Sequence, residues 1–308
     1  MKLSIVATLY KSEDYINEFC ERASTVARSF SGEDYEIILV DDGSPDNSLN
    51  IALALQDKYH QLKVIELSRN FGHHKAMLTG LEYAKGELIY LLDSDLEEEP
   101  EWLISFHETM IDLKSDVVFG VQESRKGGVI ERVTGNLFYT IFNKLAHIEH
   151  PRDITTARLM SKAYLKALLS YKESEVVFSC LCELTGFKQI SYTVKKHSSS
   201  ETTYSTIKKI RMMFDSIISF SSFPLELMFY CGIFIFIFSV SFAGYLIGMN
   251  IFFQKPLEGW TSIVLSIWTL SGLMFTFLGI IGMYISKIFN EVKMRPRTVV
   301  KGFYNFKD

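Results

Sequence analysis

Cysteine is scarce in this chain, and the few cysteines lie far apart. Four occur among 308 residues, and the one close pair, Cys180 and Cys182, has no second pair that would complete a zinc site. We therefore expect reduced, structural cysteines rather than a disulfide framework or a zinc domain. The net charge is also small, at −4, which argues against a general nucleic-acid-binding protein.

Two kinds of short signal are missing as well. The amino-terminal apolar run Leu3–Leu9 is too short for a signal peptide and is followed by a charged helical pattern, so we do not expect secretion. None of the predicted strands is followed by a glycine-rich phosphate-binding loop of the dinucleotide or P-loop kind. This argues against a dinucleotide-dependent oxidoreductase and against a P-loop enzyme.

Charged residues are absent from two long stretches near the carboxyl end, Leu227–Gln254 and Gly259–Ser286. Each is longer than the roughly 20 residues that a helix needs to cross a bilayer. Two such stretches in succession disfavour the alternative of buried core helices. The sequence therefore predicts a transmembrane hairpin over residues 224–286, with helices at about 226–253 and 259–286.

Basic residues flank this hairpin on both outer sides, while the connecting loop holds one lysine. By the positive-inside rule, the globular part (residues 1–206) and a basic tail (residues 287–308) are both cytoplasmic, which makes this an integral protein of the inner or plasma membrane. Residues 207–223 have the pattern of an amphipathic helix in the headgroup region. An ordinary surface helix is the alternative for that segment, and it stays open.

The first 121 residues alternate between strand and helix patterns. This alternation predicts an α/β fold with a doubly wound, mostly parallel sheet. Strands are expected at Leu3–Leu9, Tyr35–Val40, Lys63–Ser68, Leu88–Leu92 and Asp116–Val121, and helices at Glu13–Phe30, about Asp46–Tyr59, Lys75–Ala84 and Glu101–Leu113.

Two of the predicted strands end in acidic clusters. Asp41 and Asp42 follow one strand, and Asp93 and Asp95 follow another, where their spacing of two puts both carboxylates on one side of a continuing strand. Oxygen ligands at the carboxyl end of an α/β sheet suit Mg²⁺ or Mn²⁺ with a substrate diphosphate. A solvated acidic turn remains the alternative for the Asp93–Asp95 motif taken alone.

Five short motifs occur in a fixed order along the chain. They are Val40-Asp41-Asp42-Gly43-Ser44-Pro45-Asp46, Ser68-Arg69-Asn70-Phe71-Gly72, Asp93-Ser94-Asp95-Leu96 with Pro100-Glu101, Arg158-Leu159-Met160-Ser161 and Phe220-Ser221-Ser222-Phe223-Pro224-Leu225. In order and spacing this set resembles the family 2 glycosyltransferases, and more narrowly the polyprenyl-phosphate glycosyltransferases such as dolichyl-phosphate mannose synthase and bactoprenol glucosyltransferase. The resemblance covers nearly the whole chain and implies a GT-A catalytic domain followed by two transmembrane helices.

The resemblance also implies roles for single residues. Asp41 and Asp42 would contact the nucleotide base and ribose, in a site that also includes Tyr10 and Arg158. Asp93 would lie near the ribose and the metal, and Asp95 with Glu97 would hold Mg²⁺ or Mn²⁺ against the diphosphate. The loop from Ser68 opens a helix whose amino terminus could face the phosphates, with a plain structural turn as the alternative. His73 and His74 lack zinc-ligand spacing.

The chain departs from the family at several positions, and the departure at Thr156 bears on whether the acceptor needs a base. Related sequences commonly have an aspartate, a candidate base, where this chain has Thr156. A phosphate acceptor needs no base, because a phosphate monoester has a second pKa of about 6 and is largely ionised at neutral pH. It needs cations instead; Arg125 and Arg132, which match the family, are favoured over the other candidates Lys195, Lys196 and His197.

Together these observations predict an inverting, metal-dependent hexosyltransferase. The donor is a UDP- or GDP-linked sugar, the acceptor is an undecaprenyl or dolichyl phosphate at the cytoplasmic membrane face, and the protein contacts membrane lipid but no nucleic acid. Two alternatives stay open: a transferase with a sugar-hydroxyl acceptor, and an inactive membrane scaffold that keeps the fold. The sequence leaves homo-oligomer formation open and does not identify the sugar.

Overall fold

The computed structural model describes residues 1–123, 154–173, 178–195, 221, 223–253 and 259–306. These residues form two compact units, one made by the amino-terminal part together with residues 295–308, and one that contains the two long helices. The first unit is an α/β domain.

The α/β domain is built on one sheet of eight strands. In chain order the strands are β1 (Leu3–Leu9), β2 (Tyr35–Asp41), β3 (Leu62–Leu67), β4 (Leu88–Leu91), β5 (Val117–Gln122), β6 (Ile154–Ser161), β7 (Gln189–Val194) and β8 (Val300–Tyr304). The spatial order is β7-β5-β6-β4-β1-β2-β3-β8. Strands β1 and β2 are buried over their whole length, as expected for central strands covered on both faces.

Helices cover both faces of this sheet, which explains the two separate groups of core side chains. Their bounds are α1 (Ile16–Ser31), α2 (Ser48–Ala54), α3 (His73–Glu82), α4 (Trp102–Asp112), α5 (Lys162–Leu168) and α6 (Phe178–Leu184), with a 3₁₀ turn at Leu55–Asp57 after α2. Side chains of α1, α2 and α4 pack on one face, and those of α3, α5 and α6 pack on the other. Every predicted strand and helix of residues 1–121 is present, with ends shifted by a few residues.

The predicted, mostly parallel sheet is a mixed sheet, in which six of the eight described strands run in one direction and β6 and β8 run in the other. Strands β4, β1, β2 and β3 run parallel, as do β5 and β7, whereas β6 pairs antiparallel with β4 and β5, and β8 pairs antiparallel with β3. A parallel direction is required where a helix crosses over between neighbouring strands. Strand β8 arrives from the far end of the chain, so no such crossover fixes its direction.

The carboxyl-terminal segment was predicted as a basic tail, and part of it is a strand of the sheet. Val300–Tyr304 forms β8, and Arg297 before it donates hydrogen bonds to the backbone carbonyls of Tyr171 and Glu173. The five residues of β8 alternate between partly buried and exposed. A run this short, among several lysines and arginines, is a weak signal for a strand in the sequence.

The second unit contains two long helices, α7 (Phe223–Phe253) and α8 (Trp260–Val292). Of the helices that the structure describes, one holds a segment long and apolar enough to cross a membrane, Ser266–Val292, in which no residue is buried. In α7 the apolar segment found is shorter, Phe223–Ser239. The predicted amphipathic helix, apart from residues 221 and 223, and the loop between the long helices lie outside the described residues.

Candidate active site

The parallel strands place their carboxyl ends, and the polar residues that follow them, along one edge of the sheet. Leu9 of β1 lies in register with Asp41 of β2, and Asp41 lies in register with Glu66 of β3. The loop with Asp93 and Asp95 follows β4, which is the other neighbour of β1. Residues that are separated by up to 86 positions in sequence therefore meet at this edge, as in ligand sites of α/β sheets generally.

His73, the first residue of α3, stands at the centre of the acidic residues. Its Nε2 lies 3.2 Å from an oxygen of Asp93, and its Nδ1 lies 3.0 Å from the hydroxyl of Thr8. Burial by itself would lower the pKa of His73, but the hydrogen bond to Asp93 and the charges of Asp93, Asp42 and Asp95 raise it. The charges of three carboxylates thus favour the protonated form of one imidazole. The sequence did not indicate this environment for His73.

The turn that follows β4 directs alternate side chains in different directions. Ser94 is buried, and its hydroxyl donates to the carbonyl of Thr8 at 2.7 Å. The flanking Asp93 and Asp95 are less buried, and an oxygen of Asp95 accepts the N–H of Glu97 at 3.0 Å. Leu96 has a φ of 60°, a conformation that costs a non-glycine residue on the order of 1 kcal/mol.

Glu98 fixes this turn to the neighbouring strand. The residue is fully buried, and its two carboxylate oxygens accept backbone N–H groups from Asp93 at 3.2 Å and from Thr156 in β6 at 2.8 Å. Sequence analysis missed this residue because it stands within a run of three glutamates that resembles a solvated surface. Thr156, where the family resemblance leads us to expect an aspartate, is thus joined to the Asp93 turn through Glu98.

Asp42 holds the loop between β3 and α3. Its two oxygens accept the N–H groups of Phe71 at 2.7 Å and Gly72 at 2.9 Å. Gly43, with a φ of 64°, lies so close to this loop that an added Cβ would stand 2.6 Å from backbone atoms of Arg69 and Asn70. The first two motifs of the sequence are therefore in direct contact, and glycine is required where they meet.

Asp41 differs from its neighbour because one of its oxygens lacks a hydrogen-bond partner. Oδ2 accepts the N–H of Ser44 at 3.3 Å, whereas buried Oδ1 has no partner among the described residues. Burial raises the pKa of Asp41, although groups of Ser44 and Gly43 act in the opposite direction. A buried acceptor without a partner is costly, and a ligand N–H group would satisfy it.

Two residues predicted for the nucleotide site have different surroundings. Tyr10 is 47% exposed beside the strand ends. Arg158 is buried; its guanidinium donates to the sulfur of Cys182 and stacks 4.8 Å from the ring centre of Phe178. Arg158 thus has protein partners within the core.

The residues predicted as metal ligands are only partly brought together. Across the described residues there is no group of three or more His, Cys, Asp or Glu side chains that could hold a metal ion. Asp93 and Asp95 share the surroundings of His73, whereas Glu97 is buried.

Most of the basic residues predicted to bind the acceptor phosphate lie outside the described residues. Arg125, Arg132, Lys196 and His197 lie outside the described residues. Lys195 is exposed and forms an ion pair with Glu123 at 3.9 Å.

The mixed sheet, with helices on both faces and acidic residues at its strand ends, has the α/β architecture expected of a GT-A domain. Residues 4–169, just over half of the chain, match the family model described as Glycosyl transferase family 2. The chain belongs to this family, and the resemblance inferred from its motifs is confirmed.

Similar proteins match along almost the entire chain. A Mycobacterium tuberculosis protein described only by the class glycosyltransferase is 43% identical over 304 residues, covering 99% of this chain and 89% of the relative. The undecaprenyl-phosphate 4-deoxy-4-formamido-L-arabinose transferase of Shewanella sediminis is 29% identical, covering 97% and 91%. Among solved structures, glucosyl-3-phosphoglycerate synthase from M. tuberculosis with Mn²⁺, UDP and glucosyl-3-phosphoglycerate has a TM-score of 0.50 at 16% identity, covering 71% of this chain and 80% of that one. The last match shows the fold.

Proposed function

We propose that this glycosyltransferase moves a hexose from a nucleotide diphosphate sugar to a polyprenyl phosphate at the cytoplasmic face of a membrane. The observation that carries the proposal is the meeting of acidic residues at the carboxyl ends of neighbouring parallel strands, where Asp41 and Asp42 lie at the end of β2 and Asp93, 3.2 Å from His73, follows β4. The acceptor is supported by the undecaprenyl-phosphate transferase of S. sediminis, which matches this chain over nearly its whole length.

The donor nucleotide is proposed to lie at the ends of β1 and β2. The partnerless Oδ1 of Asp41 is a suitable acceptor for an N–H group of a uracil or guanine base. Exposed Tyr10 lies beside this position, and Asp42 contributes by holding the loop of Phe71 and Gly72. Arg158, whose guanidinium is occupied by Cys182 and Phe178, would support this site through packing.

The donor set at Asp93 and Asp95 fits Mg²⁺ or Mn²⁺. Both side chains are carboxylates, the ligand type that these ions prefer, and magnesium sites commonly use one or two carboxylates with substrate phosphates and water. Buried Glu97 would support Asp95, whose oxygen accepts its N–H. The bound ion would offset the negative charge that develops on the departing nucleoside diphosphate.

The reaction is proposed to be a single displacement. An oxygen of the ionised polyprenyl phosphate forms a bond to the anomeric carbon, the bond from that carbon to the donor diphosphate breaks, and the configuration inverts. No residue has to remove a proton, which is consistent with Thr156 in place of an aspartate. Arg125 and Arg132 are proposed to bind the acceptor phosphate.

The test incubates purified full-length protein with a panel of UDP- and GDP-sugars, polyprenyl phosphate and Mg²⁺ or Mn²⁺, and analyses the lipids by mass spectrometry. One donor should yield a lipid heavier by one hexose residue, and Asp95→Asn should yield none. Formation of free sugar only, or of no product with any donor in the panel, would contradict the proposed function.

A further inference from the structure

Strand β8 brings the chain that follows the long helices back to the sheet edge that carries the acidic residues. It pairs antiparallel with β3, so that Glu66 lies opposite Gly302 and Leu67 lies opposite Val300. The register shifts between these two pairs, which leaves Lys301 as the extra residue of an irregularity of the bulge type. Such an irregularity redirects a side chain, here toward β3.

Lys301 and Tyr304 of β8 both bind the carboxylate of Glu66. The ammonium of Lys301 lies 2.5 Å from one oxygen, and the hydroxyl of Tyr304 donates to the other at 2.8 Å. The side chain of Glu66 is only 10% exposed, whereas that of Lys301 is 64% exposed. A mostly buried carboxylate on β3 thus receives its positive partner from the last strand of the chain.

Glu66 stands directly beside Asp41, since the two residues are register partners on β3 and β2. Two neighbouring carboxylates repel each other, and the positive charge of Lys301 offsets part of the repulsion that Glu66 exerts on Asp41. Burial is the largest cause that raises the pKa of Asp41, and the charge of Glu66 is a smaller cause in the same direction. The charge of Asp41 in turn contributes, after Glu66, to the raised pKa of Lys301.

We propose that Lys301 is a positioning residue of the donor site, which acts through Glu66 to keep Asp41 a competent hydrogen-bond acceptor for the nucleotide base. The inference rests on the proposed function, because it takes the partnerless Oδ1 of Asp41 as the point of contact with the base. By this proposal, the segment that follows the two long helices takes part in nucleotide recognition.

A second lysine–glutamate pair in the same sheet provides a matched control. Lys63 lies 2.6 Å from Glu36, and their side chains are 14% and 1% exposed. Glu36 is near the start of β2, at the opposite end from Asp41. Lys63→Gln removes the same kind of ion pair without touching the acidic edge, so it reports the structural cost alone.

The experiment titrates the full chain with UDP and with GDP by calorimetry. Lys301→Gln should weaken binding of the preferred nucleotide by roughly three- to fivefold, the upper part of the range for loss of a partly exposed charge partner. Lys63→Gln should leave this affinity within about twofold. Lys301→Arg should retain it, and Glu66→Gln added to Lys301→Gln should restore it, because the neutral side chain no longer repels Asp41.

Equal affinities of Lys301→Gln and Lys63→Gln would overturn the inference, as would a failure of Glu66→Gln to restore binding. Both results differ from a failure of the proposed function itself. In that case the wild-type protein would bind neither UDP nor GDP, and the inference would fall with it.

Discussion

At the scale of single residues, acids that look alike in the sequence have different environments and different tasks. Asp42 binds two loop N–H groups, Glu98 joins a turn to β6, and Asp41 keeps one oxygen without a partner among the described residues. The position of Asp41, Asp42, Asp93 and Asp95 at strand ends could be predicted, because apolar runs reveal where the strands stop.

The partnerships of His73 and Glu98 could not be predicted from the sequence. His73 contacts Thr8 and Asp93, which are 65 and 20 positions away, and Glu98 contacts Thr156, 58 positions away. No local period or propensity encodes such contacts, which depend on how the strands are ordered in the sheet.

Asp95 provides the first prediction at this scale. Asp95→Asn, or an excess of chelator, should lower the rate of transfer by about a hundredfold or more, because stabilisation of the leaving group by a metal is worth several kcal/mol. The melting temperature should stay within about 2 °C, since the side chain is partly exposed. The exposed Asp112→Asn is the control; full activity in excess chelator would end the metal assignment.

Arg125 and Arg132 provide the second prediction. Changing either to alanine should lower kcat/KM for polyprenyl phosphate by roughly ten- to a hundredfold, since a charged hydrogen bond to phosphate contributes about 1.5–3 kcal/mol. The KM for the nucleotide sugar should change less, and Thr156→Ala should be milder than either. If Thr156 proved essential and both arginines dispensable, the acceptor would be a hydroxyl group that needs a base.

At the scale of elements, the turn after β4 is shaped by its contacts with other segments. Leu96 adopts a positive φ while Ser94 binds β1 and Glu98 binds β6.

The types of the elements could be predicted from the periodicity of apolar residues, but α2 shows where such a prediction fails. The predicted helix to Tyr59 is a helix to Ala54 and then a 3₁₀ turn, because helical periodicity does not distinguish the two forms.

Glu98→Gln tests the anchoring of this turn. A neutral amide presents an NH₂ group to one of the two backbone N–H donors, so a buried donor loses its acceptor, at a cost of about 1–3 kcal/mol. The melting temperature of the full chain should fall by several degrees and transfer should slow, while the exposed control Glu108→Gln should change neither. An unchanged melting temperature would show that the anchor is not required.

At the scale of the whole molecule, the return of the chain to the sheet constrains the membrane topology. Strand β8 belongs to the same sheet as β1–β7, so the segment between Val194 and Val300 has to cross a membrane an even number of times or not at all. Helices of 31 and 33 residues are each about 45–50 Å long, and of the described helices α8 holds the segment long and apolar enough to cross a membrane, Ser266–Val292. The uncharged stretches were visible in the sequence, whereas the pairing of β8 with β3 was not.

The topology can be measured with reporters and cysteine labelling. A reporter fused after Asp308 should be cytoplasmic, because β8 pairs within the α/β domain. A cysteine placed in residues 255–258, in a variant without the native Cys231, should react with a membrane-impermeant reagent from outside the cell. Reaction only after permeabilisation would show that the two helices do not form a transmembrane hairpin.

The central claim concerns the acceptor, and one measurement tests it most directly. Labelled donor sugar is offered together with polyprenyl phosphate or with the polyprenol of the same chain length, and the label in the lipid fraction is counted and located by mass spectrometry. We predict label on the polyprenyl phosphate, joined through its phosphate oxygen, and none on the polyprenol. Equal labelling of the two lipids, or label found only on a sugar hydroxyl, would contradict the account.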